Sequence, residues 1–269
     1  MPADPEDPAT PHHDRAADDG ADDHATAARL AEEAGRLLVE LRSRLSARGV
    51  DGRRLGREGD AAAHDLLVRL LARHRPADAV LSEEGAADPE RVHRSRVWIV
   101  DPLDGTREYG EVPRSDWAVH VALVVDGDPV AGAVALPGRG LTLATDPPPP
   151  PPPAVDRPPR IVVSRTRPPW QATRIAEALA GELVPLGSAG AKAMAVVLGE
   201  ADVYPHAGGQ YEWDSAAPVA VARAAGLHAS RLDGSPLVYN RPDPYLPDLL
   251  VCRPDLAEQV LAAVGAEAG

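Results

Sequence analysis

The chain has 269 residues, 44% of them hydrophobic, which is enough for one large domain or two packed halves with a real core. Phenylalanine is absent and aromatic residues make up only 3%, so Ala, Val and Leu must fill that core. The formal net charge of −13 argues against general binding to a nucleic-acid polymer or an anionic membrane, because both require a basic face.

The first part of the chain is rich in Asp, Pro and Ala, and we predict that residues 1–23 form a disordered acidic tail. It contains no apolar segment of the kind that a signal peptide needs, and no stretch of the chain reaches the length of a membrane span. The only cysteine, Cys252, excludes an intrachain disulfide and favours a reducing compartment. We therefore expect a cytoplasmic protein.

Residues 24–145 predict an N-terminal α+β half. Leucine and alanine recur there at spacings of three and four residues, as in helices buried on one face, and short apolar runs follow as strands. The sequence Asp-Gly-Asp between the last two strands favours a hairpin. In chain order, the predicted elements are helices at Ala25–Leu45 and Asp60–His74 and strands at Ala79–Leu81, Val97–Val100, Trp117–Val125 and Pro129–Leu136.

Residues 146–160 contain seven consecutive prolines and predict an extended linker, with a ligand for an SH3-type domain as the alternative. Strands and helices alternate over residues 161–269, which favours a layered α/β half. The predicted elements there are strands at Ile161–Ser164, Leu183–Pro185, Asp202–Tyr204 and Leu249–Val251 and helices at Trp170–Ala180, Ala191–Leu198, Asp214–Ala225 and Leu256–Val264.

Acidic residues stand where three of these elements begin or end. Glu83 and Glu84 follow one strand, Asp101 and Asp104 follow the next, and Asp214 opens a helix. Each acid alone also fits a loop end, a turn or a helix cap. Together, and within the string Asp-Pro-x-Asp-Gly-Thr, they favour a site for a hard cation such as Mg²⁺, since neither His nor Cys stands beside them for zinc.

The segments "LSEEG", "WIVDPLDGTREY" and "YEWDSAAPVAVARAAG" resemble the signature segments of the Mg²⁺-dependent, lithium-sensitive inositol monophosphatase superfamily. The resemblance runs from the first predicted helix to the end of the chain. Within the superfamily, the chain is most similar to 3′(2′),5′-bisphosphate nucleotidases of the CysQ type. The resemblance implies a layered αβαβα sugar-phosphatase-like fold, two or three Mg²⁺ ions and hydrolysis of 3′-phosphoadenosine 5′-phosphate to AMP in sulfate assimilation. Relatives pair as dimers, so a homodimer is a further expectation.

The resemblance also implies a set of site residues. In the superfamily, a threonine after the acids contacts the phosphate and orients the attacking water, with an aspartate of the second helix as its partner; Thr106 and Asp60 match these positions. Two or three Mg²⁺ ions at such a site would stabilise the attacking and leaving oxygens. The implied metal ligands are Glu83, Asp101, the backbone carbonyl of Leu103, Asp104 and Asp214, and the implied phosphate contacts are Gly105 and Thr106.

Two departures from the superfamily pattern bear on these assignments. The string "LGREGD" replaces the usual Pro-Val-Thr-x-Ala-Asp, so Asp60 is either the partner of Thr106 or a helix cap. Ala207 stands where inositol-preferring members carry Glu, which weakens an inositol phosphatase assignment.

The remaining predictions concern the nucleotide. Lys192 is the only lysine in the chain and lies in "GSAGAKAM", the segment that contacts the nucleotide in nucleotidases. Lys192 and Ser188 are therefore our candidates for binding the 5′-phosphate and ribose, with Arg165 a weaker candidate. Tyr211 or Trp213 would stack on adenine, unless both belong to the core.

Two other functions remain open at this point. One is a broad phosphatase acting on inositol 1-phosphate or fructose 1,6-bisphosphate, since the shared motifs do not separate these substrates. The other is a non-catalytic nucleotide or metal sensor, although the presence of every metal-ligating acid and of Thr106 favours an enzyme. A haloacid-dehalogenase-type phosphatase fits less well, because its Asp-x-Asp-x-Thr/Val string is absent around Asp101.

Overall fold

The computed structural model describes residues 14–86, 88–153 and 156–265, with side chains from residue 23 onward. The helices are α1 (Asp14–Ser46), α2 (Gly52–His74), α3 (Thr106–Gly110), α4 (Trp170–Leu179), α5 (Ala189–Val197), α6 (Glu212–Ala224) and α7 (Ala257–Gly265). The strands are β1 (Ala79–Ser82), β2 (Arg96–Asp104), β3 (Ala118–Val125), β4 (Asp128–Leu136), β5 (Leu141–Ala144), β6 (Arg160–Ser164), β7 (Glu182–Leu186), β8 (Val203–Tyr211), β9 (His228–Ser230) and β10 (Tyr245–Cys252).

The strands form two five-stranded sheets, ordered β1-β2-β3-β4-β5 and β7-β6-β8-β10-β9. In the first sheet only β1 and β2 are parallel, whereas in the second β6 runs parallel to both β7 and β8. Helices α1 and α2 cover the outer face of the first sheet, α5 and α6 lie between the sheets, and α4 and α7 cover the outer face of the second. The predicted αβαβα layering is confirmed.

The continuous apolar run of β2 follows from burial on both faces of its sheet. Trp98 and Val100 pack against α1 and α2, while Val97 and Ile99 face the layer of α5 and α6. Successive strand residues point to opposite faces, so a strand covered on both sides must be apolar at every position. This packing fixes the end of β2, where the acids begin, beneath helices of both halves.

The N-terminal boundary predicted from composition is wrong for residues 14–23, because α1 begins at Asp14. Asp23 is buried and forms ion pairs with Arg75 at 2.8 Å and with Arg96 at 3.0 Å, so this acid is part of the folded domain. Residues 1–13 lie outside the described part of the chain. Helix α2 likewise begins eight residues earlier than predicted, at Gly52.

The proline-rich segment joins β5 to β6 without a helix or strand in its described residues. Its prolines lie near the ends of the inner helices: a Cβ placed on Gly199 would lie 3.4 Å from Pro152. The core layer between the two sheets contains residues from both sides of this segment. The division of the chain into two halves at residues 146–160 therefore stays a prediction. None of the described helices combines the length and the apolar character needed to cross a membrane.

Candidate active site

Asp101 and Asp104 lie on β2, where a bulge brings both carboxylates to one side of the strand. Asp101 pairs with His120 of β3, and the register resumes at Asp104 and Ala118, so β2 holds one extra residue. Residues three apart in a regular strand point to opposite faces, and the extra residue cancels that difference. Oxygen atoms of Asp101, Asp104 and Asp214 lie within 4.8 Å of one another.

The other two acids reach this corner from separate elements. Parallel strands β1 and β2 pair Ser82 with Val100, so continuing the register by one residue sets Glu83 beside Asp101. Asp214 lies in the first turn of α6, where one of its oxygens accepts a hydrogen bond from the Tyr211 backbone N–H at 2.7 Å. Asp214 is therefore both the N3 residue of a capping box, with Tyr211 as the N-cap, and a member of the acid cluster.

The electrostatics of this cluster test whether a cation fits. Desolvation, then repulsion from Asp214 and Asp60, raises the pKa of Glu83 to about 7. Burial and repulsion from Asp104 raise the pKa of Asp214 to about 6, and burial with repulsion from Glu83 raises the pKa of Asp101 well above its usual value. A divalent cation would offset this repulsion, and ligands that are all oxygen suit Mg²⁺. The residues therefore fit the predicted metal.

Asp104 is held ionised by His120 of β3 and by hydrogen-bond donors from the second half of the chain. Its Oδ2 accepts hydrogen bonds from the Ser188 hydroxyl and from the Gly190 backbone N–H at 2.6 Å, and its Oδ1 accepts one from the Ala189 N–H at 3.1 Å. Although burial opposes ionisation, hydrogen bonding and charge from His120, followed by the Ser188 contact, hold the pKa of Asp104 well below its usual value. Oδ1, with a single donor, retains a lone pair for a cation.

His120 was missed by sequence reasoning, although it links two parts of the cluster. It is fully buried on β3, with Nε2 3.3 Å from Asp104 Oδ2 and Nδ1 3.0 Å from the carbonyl oxygen of Trp213, the neighbour of Asp214. Both partners can only accept, so the ring suits them when it carries two protons. Burial alone would lower the pKa of His120, but Asp104 and the Trp213 carbonyl raise it.

Thr106 and Asp60 form a hydroxyl–carboxylate pair beside the acids. The Thr106 hydroxyl lies 3.3 Å from Asp60 Oδ1 and 3.2 Å from the Leu103 carbonyl oxygen, and it can donate to one of them at a time. Asp60 lies within α2 rather than at its start, so the alternative of a helix cap is wrong. Burial and repulsion from Glu84 raise the pKa of Asp60 to about 7, despite the hydrogen bond from Thr106.

Glycine explains the unusual string around Asp60. A Cβ on Gly56 would lie 2.6 Å from Thr106 Cγ2, and a Cβ on Gly59 would lie 2.8 Å from the Tyr109 ring. Only residues without a side chain let α2 approach α3 this closely. The two glycines of "LGREGD" therefore bring Asp60 within reach of Thr106.

The remaining predicted residues lie around this centre. Gly105 has a left-handed backbone (φ +86°) in the turn before Thr106, and Leu103 points its carbonyl oxygen toward the Thr106 hydroxyl. Ser188 caps α5, and buried Lys192 donates to the Ser188 carbonyl at 2.6 Å. The roles of Gly105, Ser188 and Lys192 in substrate binding, and of Leu103 as a metal ligand, stay predictions.

The weaker nucleotide candidates are engaged with protein groups. Arg165 forms ion pairs through Nε with Glu108 at 2.6 Å and through Nη2 with Glu111 at 2.8 Å. The rings of Tyr211 and Trp213 stack on each other with centroids 4.8 Å apart. As a whole, the site combines an acid cluster that suits divalent cations with a hydroxyl–carboxylate pair that can take up a proton.

Comparison with known proteins agrees with this geometry. The chain matches the inositol monophosphatase family over residues 21–146 and 159–267. It is 51% identical to the 3′-phosphoadenosine 5′-phosphate phosphatase of Mycobacterium leprae (strain TN), over 90% of this chain and 93% of the relative. It is 32% identical to the 3′(2′),5′-bisphosphate nucleotidase CysQ of Escherichia coli (strain K12), over 70% of this chain and 80% of that protein.

A solved structure supports the same relationship. The crystal structure of CysQ from Bacteroides thetaiotaomicron superposes with a TM-score of 0.70 at 28% identity, covering 86% of this chain and 97% of that one. Its description as a bacterial member of the inositol monophosphatase family agrees with the family match over both halves of the sequence. This chain therefore belongs to the inositol monophosphatase family.

Proposed function

We propose that this protein is a Mg²⁺-dependent phosphatase that hydrolyses the 3′-phosphate of 3′-phosphoadenosine 5′-phosphate, giving AMP and phosphate. The observation that carries the proposal is identity of about one half to a relative named for that activity, aligned over nearly the whole of both chains. The convergence of Asp101 and Asp104 of β2 with Asp214 of α6 supports a metal-dependent reaction. This reaction class serves sulfate assimilation, as the resemblance implies.

Glu83, Asp101, Asp104 and Asp214 would hold two or three Mg²⁺ ions, with the Leu103 carbonyl as a further ligand. Bound there, the cations would neutralise phosphate charge and lower the pKa of water. The protein supplies the geometry: the bulge of β2 aligns two carboxylates, and the first turn of α6 adds the third. His120, Ser188 and the start of α5 keep Asp104 ionised and fixed.

Thr106 and Asp60 would activate the attacking water. When the Thr106 hydroxyl donates to Asp60 Oδ1, its oxygen lone pairs remain free to accept a hydrogen bond from water, so that a proton lost by the water can replace the hydroxyl proton as the latter passes to Asp60. The Asp60 carboxylate, whose pKa of about 7 lies near neutrality, is suited to receive the proton as a general base. The backbone N–H groups of Gly105 and Thr106 would contact the phosphate. No covalent phosphoenzyme is required.

A phosphate-release panel with Mg²⁺ tests the proposal. The substrates are 3′-phosphoadenosine 5′-phosphate, inositol 1-phosphate and fructose 1,6-bisphosphate, each with and without Li⁺. We expect marked preference for the nucleotide and inhibition by Li⁺; equal rates on all three substrates would contradict the nucleotidase assignment. Asp214→Asn should abolish turnover, whereas the control Asp128→Asn changes an exposed acid that pairs with Arg223 and should not.

Two further features belong to this proposal. A cytoplasmic location is an expectation from the sequence, whose single cysteine, Cys252, cannot form an intrachain disulfide. A homodimer is an expectation from the resemblance alone, and light scattering of the purified protein tests it.

A further inference from the structure

His64 of α2 contacts the residue that precedes a predicted metal ligand. It lies four residues after Asp60, so the two side chains share one face of the helix. Its Nδ1 lies 2.9 Å from the hydroxyl oxygen of Ser82, which is a hydrogen-bonding distance. Ser82 is buried and is the last residue of β1, and Glu83 follows it directly. His64 therefore reaches the acid cluster through Ser82.

Glu83 and Glu84 form the centre of a turn, and both ends of this turn lie against His64. The Gly85 backbone N–H donates to the Ser82 carbonyl oxygen at 3.2 Å, which closes the turn. A Cβ placed on Gly85 would lie 3.3 Å from Cε1 of the His64 ring. The imidazole therefore contacts one end of the turn through a hydrogen bond and the other by packing.

The turn depends on such an anchor because β1 gives it little support. β1 has four residues and lies at the edge of its sheet, where it pairs with β2. Among the described residues, no helix or strand begins after the turn until Pro89. The turn also meets like charge on α2, since burial and then repulsion from Glu84 raise the pKa of Asp60. A direct link between α2 and the turn opposes that repulsion.

The chemistry of the two side chains suits a permanent link. A serine hydroxyl both donates and accepts, and Nδ1 of histidine accepts when it is unprotonated and donates when it carries a proton. The hydrogen bond between His64 and Ser82 is therefore compatible with every tautomer and charge state of the ring. Because Ser82 is buried, loss of His64 would leave its hydroxyl without this partner.

We propose that His64 is a positioning residue, which holds the turn of Glu83 and Glu84 against α2 and so sets the place of Glu83 beside Asp101. The inference rests on the proposed function, in which Glu83 is a metal ligand. Residues that orient metal ligands without touching the metal change metal affinity or activity about 10- to 100-fold when they are replaced. His64 thus acts on the affinity for divalent cations and not on the chemical step.

The test compares His64→Leu with His64→Asn. The two new side chains have nearly the same shape, but only Asn places a polar atom where Nδ1 lies. In calorimetry with Mn²⁺, His64→Leu and Ser82→Ala should each weaken binding about tenfold, whereas His64→Asn should stay within about threefold of the wild type. The matched control is His74→Leu, which changes a half-buried histidine of the same helix that contacts Arg29 at 3.3 Å and should leave the affinity unchanged.

Two further readouts separate positioning from a general loss of structure. The double variant His64→Leu/Ser82→Ala should bind Mn²⁺ no more weakly than either single variant, because both changes remove the same hydrogen bond. In phosphate release, His64→Leu should need about tenfold more Mg²⁺ for the half-maximal rate, with kcat at saturating Mg²⁺ close to that of the wild type. Circular dichroism checks the fold, and Ser82→Ala carries the test if His64→Leu does not fold.

Equal losses of Mn²⁺ affinity in the Leu and Asn variants of His64 would overturn the proposal, as would additive losses in the double variant. Unchanged affinity in Ser82→Ala, or a tenfold loss in the control His74→Leu, would overturn it as well. If the wild-type enzyme releases no phosphate from 3′-phosphoadenosine 5′-phosphate, the proposed function fails, and the Mn²⁺ affinities still decide the role of His64.

Discussion

Replacing Asp60 by asparagine tests two consequences of its buried carboxylate, one for turnover and one for the stability of the fold. Asn keeps the shape of the side chain and an oxygen that accepts from the Thr106 hydroxyl, but it cannot become charged or take up a proton. If Asp60 is the general base, kcat should fall about 10²–10⁴-fold. The same substitution should stabilise the metal-free protein at alkaline pH.

The sign and size of the stability effect follow from the pKa of Asp60. Burial raises it from 3.8 to about 7, so the folded protein favours the protonated acid, and the stability this gives is lost as pH rises through about 7. At pH 8 ionisation of Asp60 would lower the free energy of unfolding by at most ~4 kcal/mol, whereas near pH 4 it would lower it by less than ~1 kcal/mol. Asp60→Asn should therefore increase the free energy of unfolding by about 3 kcal/mol more at pH 8 than at pH 4.

Urea unfolding in EDTA at the two pH values, combined with phosphate-release kinetics in Mg²⁺, measures both effects. The pH 4 measurement is an internal control, because both side chains are then neutral. A variant that is less stable at pH 8, or equally stabilised at both pH values, would refute the assigned environment of Asp60. Activity within tenfold of wild type would refute its role as a base.

Three further predictions address the surrounding residues. Gly56→Ala places a methyl group against Thr106 and should lower kcat about 10- to 100-fold with the fold retained by circular dichroism, whereas Gly265→Ala, in open space, should be neutral. His120→Asn keeps a donor for the Trp213 carbonyl but loses the contact with Asp104, so Mn²⁺ affinity by calorimetry should fall about tenfold. The pKa values of Asp214 (about 6), Glu83 (about 7) and Asp101 are raised, so the metal-free protein should lose thermal stability from pH 5 to pH 8. Mg²⁺ should therefore raise the melting temperature more at pH 8.

Each of these predictions has an opposing result. A fully active Gly56→Ala enzyme would mean that α2 can move away from Thr106 without consequence. Unchanged Mn²⁺ affinity in His120→Asn would limit His120 to packing. A Mg²⁺-induced shift that is larger at pH 5 than at pH 8 would contradict mutual repulsion within the acid cluster.

Most elements were predictable because burial imposes a period on the sequence. The leucines of α1 recur at the spacing of one helix face. The apolar run of β2 fills both faces of a strand that is covered on both sides. The end of β2 was not predictable in this way. The strand continues to Asp104 through a bulge, and polar residues at a strand end read as a turn.

The contents of the site were predictable to different degrees. The acids carried a signal because carboxylates gathered at element ends call for a cation. His120 carried none, since one histidine in an apolar strand is more often a core residue, and its partners come from β2 and α6. Gly56 and Gly59 did carry a signal, because glycine inside a helix is costly unless a neighbour must approach closely.

The central claim is that carboxylates from three segments share divalent cations. Crystals grown with Mn²⁺ and measured for anomalous scattering test it most directly. We predict at least one strong peak within coordination distance of both Asp101 and Asp214, lost in Asp214→Asn. Peaks found only elsewhere, or none at saturating Mn²⁺, would contradict the account.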